Sequence, residues 1–270
     1  MEDGMRRVFV AGNWKMNLSL REARELAATL KAEFGSEERV DVGVFPPYVY
    51  LEQVAQVVQG SRIRLGAQDV YLQEKGAFTG EVSPGMLLDV GCTWTIVGHS
   101  ERRHVIGETD ELIAGKAKAA AGAGLGVILC VGEILEERKS GRTTQVVRTQ
   151  VEKGLVGLSA AQMKGVVIAY EPVWAIGTGV NASPADANEV HEFIRGLLAA
   201  KFGREIADDT TIQYGGSVRP ENTVDLMSQP HVDGALVGGA SLAADSFIGI
   251  VRNTIQAKGL GDAGKKHGRR

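Results

Sequence analysis

The chain has 270 residues, 44% hydrophobic and 23% charged, with a net charge of −3. This is ordinary globular composition, and it leaves no basic footprint for nucleic acid. Glycine stands out at 35 residues, which predicts many tight turns or close backbone approaches to a ligand.

Residues 1–7 (MEDGMRR) are charged and no long apolar run comes after them. They read as a short N-terminal tail, with no signal peptide and no membrane-spanning segment, so the expected location is cytoplasmic. Short apolar runs then recur, each followed by a longer amphipathic segment. Val8 to Gly12 precedes a helical pattern from Ser19 to Phe34, and Val40 to Phe45 precedes Tyr48 to Val58. Arg62 to Gln68 precedes a long polar loop and a short helix near Pro84 to Val90. Trp94 to Gly98 leads through a charged loop to Asp110–Ala123, and Gly126 to Gly132 leads to one helix from Leu135 to Gly154. Gly165 to Pro172 precedes Pro184–Phe202, Thr210 to Gly216 precedes Pro220–Met227, and Val232 to Gly239 precedes Ala243–Ala257. Residues 258–270 are polar and basic and are expected to be a disordered tail.

Alternating strand and helix without hairpins argues parallel strands joined by helical crossovers. Strands that are continuously apolar fit a sheet covered on both faces. Eight such units predict an α/β fold: a closed eight-stranded parallel β/α barrel forming one domain over 8–257. An open doubly wound sheet is the alternative.

In such a barrel, chemistry sits where the strands end. Asn13 and Lys15 follow the first strand, His99 and Glu101 the fourth, and Glu171 the sixth. Ser217 follows the seventh, and Gly238 and Gly239 end the eighth. Glu171 precedes Pro172, which stops the strand, and then the apolar run Val173-Trp174-Ala175-Ile176. Either Glu171 merely meets solvent, or apolar cover raises its pKa and makes it a general base. His99 is structural, or a helix start keeps its ring neutral so that it can donate to an oxyanion. Lys15 is a solvated lysine, or an enclosed cation that draws an anionic substrate. The glycine runs at 177–179, 215–216 and 238–239 are simple turns, or backbone cradles for phosphate. Cys92 and Cys130 lie far apart, no metal-ligand spacing is present, and no cofactor is expected.

Together, GNWKMN, GHSERR, YEPVWAIGTG, YGGSV and ALVGGASL closely resemble the triosephosphate isomerase family, from about Val8 to Ile255. The resemblance implies the TIM-barrel fold and interconversion of dihydroxyacetone phosphate and D-glyceraldehyde 3-phosphate, without cofactor or metal. It implies Glu171 as catalytic base, His99 as the electrophile that polarises the carbonyl, and Lys15 as a supporting cation. It also implies that Asn13 positions substrate, that Gly177, Ser217, Gly238 and Gly239 grip the phosphate, and that Glu101 is a supporting carboxylate. Pro172 to Gly179 would be a closing lid. The loop from Asp69 to Ser83 would project into a second subunit of a homodimer, with Met16 in another contact. Asp69 stands where that family more often has asparagine. Competing functions are a sugar-phosphate epimerase on the same barrel and a non-catalytic phosphate-metabolite binder; neither a membrane nor nucleic acid is an expected partner.

Overall fold

The computed structural model describes residues 6–175 and 182–261. Eight strands close in sequence order: β1 (Phe9–Asn13), β2 (Asp41–Phe45), β3 (Arg64–Ala67), β4 (Trp94–Val97), β5 (Gly126–Val131), β6 (Val166–Tyr170), β7 (Ile212–Tyr214) and β8 (Gly234–Val237). Every neighbouring pair is parallel, and β8 closes onto β1 with Phe9 opposite Gly234 and Gly12 opposite Val237. The closed barrel is the one expected, and the open sheet is excluded.

The helices are α1 (Leu20–Phe34), α2 (Leu51–Val58), α3 (Pro84–Asp89), α4 (Asp110–Ala123), α5 (Leu135–Lys139), α6 (Thr143–Gly154), α7 (Ala160–Met163), α8 (Pro184–Phe202), α9 (Arg204–Asp209), α10 (Pro220–Met227) and α11 (Ala244–Ala257). Their starts follow local chemistry. Ser19 and Glu22 form a reciprocal capping box on α1, and Ser183 and Asp186 do the same on α8, where Pro184 fills the first turn. Two features depart from the expected pattern. The single helix over Leu135–Gly154 is two, because Gly141 takes a φ of +69° between α5 and α6. The short helices α7 and α9 were not expected, being only one or two turns of weak periodicity.

Strand parity builds two layers. One face points into the barrel: Phe9 and Ala11 from β1, Trp94 and Ile96 from β4, Ile128 and Cys130 from β5, Val167 and Ala169 from β6. The other face, including Val127, Leu129, Ile168 and Tyr170, packs under the helices. The interior is therefore filled with side chains, with the Phe9 and Trp94 rings 5.1 Å apart. Inward parity on β1 continues from Phe9 and Ala11 to Asn13. On β6 it continues from Val167 and Ala169 to Glu171. Two polar groups thus arrive at the C-terminal mouth by register alone.

The barrel's hold reaches into the segments read as tails. Arg6 pairs with Asp233 at 2.7 Å, Arg7 pairs with Asp41, and Lys258 donates to the Gln229 carbonyl. Residues 1–5 and 262–270 lie outside the described residues. No helix among the described residues is long and apolar enough to cross a membrane.

Candidate active site

Glu171 is 2% exposed and sits at the C-terminal mouth just past the end of β6. Its backbone N–H donates to the Val131 carbonyl on the neighbouring strand. Glycines on both sides make room for it. A Cβ on Gly132 would lie 1.7 Å from the Glu171 carbonyl oxygen, and one on Gly215 would lie 2.8 Å from the Glu171 Cγ. No larger residue fits at either place.

The carboxylate is held from two directions. Ser100 donates its N–H to Oε2 at 2.9 Å and its hydroxyl to Oε1 at 3.1 Å. His99 Nε2 lies 3.0 Å from Oε1. Burial opposes the negative charge, but the His99 ring and the Ser100 donors together hold the carboxyl below its ordinary value. This reverses the raised value expected from apolar cover alone.

His99 reaches the mouth because Gly98, with φ +69°, turns the chain sharply as β4 ends. The Glu101 N–H points at Nδ1 from 3.2 Å. In the neutral ring, that contact leaves the proton on Nε2, facing Glu171. Burial favours the neutral ring, yet the adjacent Glu171 carboxylate carries the net shift upward. The helix-start N–H expected to keep the ring neutral is present, and the carboxylate outweighs it.

Lys15 has φ +51°, a left-handed backbone rare for a side chain with a Cβ. Two contacts hold it there. Its N–H donates to Asn13 Oδ1 at 3.0 Å, and its carbonyl accepts from Gln68 Nε2 at 2.8 Å. The same Gln68 amide donates to the Phe45 carbonyl at 2.8 Å. Such a conformation costs roughly 1–3 kcal/mol and persists only where the surroundings over-determine it. The ammonium meets Glu101 Oε1 at 2.6 Å.

Asn13, Lys15, His99, Glu171, Ser217, Gly238 and Gly239 all line one cavity of about 300 Å³. The chain thus brings seven expected site residues to one place from five strand ends. Glu101 stands beside them, exposed, bridging Lys15 and the His99 loop. Gly177 and the lid residues from Ile176 to Gly179 lie outside the described residues. Gly216 also lines the cavity beside Ser217. Among the described residues no group of three His, Cys, Asp or Glu side chains could hold a metal ion.

Two residues in contact with the site and the segment after it were not anticipated. Ser100 lies inside GHSERR but had no assigned role. Glu133 comes just after β5 and is fully buried; it accepts from the Tyr170 hydroxyl at 3.1 Å and from Trp174 Nε1 at 2.9 Å. Its signal in the sequence is a lone carboxylate directly after an apolar strand and a glycine, the same setting that marks the other site residues. Chemically, the cavity brings together a carboxylate, an imidazole facing it and an ammonium, groups able to move protons on a small anion.

A family model described as triosephosphate isomerase matches residues 8–254. The chain is 56% identical over 255 residues to the triosephosphate isomerase of Carboxydothermus hydrogenoformans, covering 93% of this chain and 100% of that one. It is 51% identical to the enzyme of Rhodopirellula baltica, over 92% of this chain and 97% of the relative. It is 52% identical to that of Herpetosiphon aurantiacus, over 92% and 99%.

Proposed function

The chain belongs to the triosephosphate isomerase family, and from that premise we propose how its own residues divide the work of an aldose–ketose isomerase. The substrates are dihydroxyacetone phosphate and D-glyceraldehyde 3-phosphate. The observation that carries this reading is the Glu171–His99 pair, 3.0 Å apart, in one cavity with Lys15.

Glu171 takes a proton from the carbon beside the carbonyl and returns it to the neighbouring carbon. To reach substrate it gives up the Ser100 donors and the His99 ring. Losing them raises its basicity, because burial is then unopposed. The same departure frees His99 from the carboxylate's pull, so burial favours the neutral ring. Its Nε2–H then donates to the oxygen that becomes negative in the enediolate. General-base action is worth about 10²–10⁴-fold, and an aimed oxyanion donor roughly 3–4 kcal/mol. Lys15 supplies positive charge beside the same oxygens, Asn13 fixes the Lys15 turn, and Glu101 steadies the ammonium.

Binding energy far from the reacting carbons goes into positioning. Ser217, Gly238 and Gly239 offer backbone N–H groups to the phosphate, with Gly177 a fourth donor in this reading. No cofactor is required.

A homodimer and a cytoplasmic location complete the proposal. The Asp69–Ser83 loop carries Phe78, 39% exposed, near its tip, and Met16 beside the site is 95% exposed. Both suit burial against a second copy. Two buried, unbonded cysteines suit a reducing compartment.

The deciding experiment is steady-state conversion of D-glyceraldehyde 3-phosphate to dihydroxyacetone phosphate in the presence of a chelator. Fast turnover is expected. Folded protein without turnover would overturn the reading in favour of the epimerase or the binder.

A further inference from the structure

Arg138, in the last turn of α5, does not line the cavity, yet it reaches both ends of the segment that follows the base. Its guanidinium lies 4.4 Å over the Trp174 ring. Nη1 stands 3.7 Å from Glu133 Oε1, and Nη2 donates to Asp186 Oδ1 at 3.2 Å. Among the described residues, no other cation pairs with the fully buried Glu133 carboxylate. Trp174 lies three residues after Glu171, and Asp186 caps the start of α8 through Ser183. One guanidinium therefore grips the chain on both sides of residues 175–185.

We propose that Arg138 is a positioning residue for Glu171, acting through Glu133 and Trp174. A buried carboxylate without a counter-charge is costly, so the Arg138 guanidinium supports the Glu133 carboxylate that accepts from the Trp174 N–H. The guanidinium over the ring holds the indole by its face while Glu133 holds it by its N–H, which a point charge on a flexible stem does not reproduce. The backbone between Glu171 and Trp174 is tied to the same anchor, since the Val173 N–H donates to the Glu133 carbonyl at 3.1 Å. A misplaced turn therefore misplaces the base. The phosphate-facing backbone at Ser217, Gly238 and Gly239 belongs to other strand ends and is untouched.

This inference rests on the isomerase reading, and its test has an arm that does not. The protein is labelled with 5-fluorotryptophan, and the Trp174 fluorine resonance is identified by its loss in Trp174→Phe. In Arg138→Met that resonance shifts or broadens. Turnover falls by between about tenfold and a hundredfold while KM stays within about twofold. Arg138→Lys restores part of the turnover, because charge returns without the stack or the bridge to Asp186. An unchanged resonance with unchanged kcat in Arg138→Met overturns the proposal. If that variant does not fold, the same pair of results in Arg138→Lys overturns it. A wild-type protein without turnover refutes the isomerase reading and leaves the fluorine arm standing.

Discussion

Glu171 Oε1 and His99 Nε2 lie 3.0 Å apart, each buried, although they come from the ends of two different strands, β6 and β4. A carboxylate so placed can serve as a base only if it is ionised and can leave its partners. Glu171→Gln keeps the shape and removes the basicity. Turnover is expected to fall by at least about 10²–10⁴-fold, while inorganic phosphate still binds in the cavity by calorimetry. Near-wild-type turnover in this variant would remove Glu171 from the mechanism.

The pair also makes a statement about pH. The depressed Glu171 carboxyl contributes stability that is present above the ordinary carboxylate value of 4.5 and is lost as pH falls through the folded value. The raised His99 contributes stability that is present below the ordinary 6.5 and is lost as pH rises through its folded value. Both are fully present between 4.5 and 6.5. The wild-type advantage over His99→Gln in urea midpoint should therefore peak at about pH 5.5 and shrink by about pH 8. An advantage that grows with pH would contradict the pairing.

Ser100 tunes the same carboxylate. Ser100→Ala removes the hydroxyl donor to Oε1 and leaves the N–H donor to Oε2. One donor fewer favours the charged form less, so the Glu171 pKa rises. The acid limb of the kcat/KM profile is expected to move to higher pH. A limb that stays in place would mean that the hydroxyl does not govern the base.

Much of this was legible in the chain for a physical reason. Alternation of apolar strand and amphipathic helix is dictated by burial on both faces, so the barrel could be read from pattern. Asn13 and Glu171 could be placed because inward parity on β1 and β6 runs straight into them. His99 needed the left-handed turn at Gly98, which a glycine permits but does not announce. Ionisation was the part that could not be read. Apolar neighbours of Glu171 in sequence suggested a raised pKa. The groups that lower it, His99 and Ser100, come from another strand. The break between α5 and α6 was missed because Ser140-Gly141 sits inside an otherwise helical pattern.

The proposed dimer depends on the loop between β3 and α3. Tyr71 N–H closes its base onto the Val82 carbonyl, and the Tyr71 and Phe78 rings pack 4.8 Å apart. Phe78→Glu would place a charge where a partner is expected. Sedimentation should show a dimer for the wild type and a monomer for the variant at micromolar concentration. A wild-type monomer would refute the dimer.

At the base of that loop lies a cluster of four charges, three of them buried and Arg102 half-buried. Lys116, 1% exposed, donates to Asp69 Oδ1 and Oδ2 at 2.9 and 2.7 Å and also pairs with Glu108. Arg102 reaches Asp69 at 3.0 Å and Glu108 at 2.6 Å, so two cations balance two anions. Burial raises the Asp69 carboxyl although Lys116 opposes it, so its charge is a cost that the ammonium only partly offsets. The two residues should then respond unequally. Asp69→Asn keeps an acceptor for Lys116 and removes a buried charge, and is expected to change stability by less than about 1 kcal/mol. Lys116→Met leaves two carboxylates facing Arg102 alone and should cost about 3–5 kcal/mol. Combining them leaves Arg102 against Glu108, one charge of each sign, so the double variant should be more stable than Lys116→Met by itself. Urea denaturation of the four proteins gives the coupling directly. Additive losses would mean that the cluster's net charge does not govern the stability of this region.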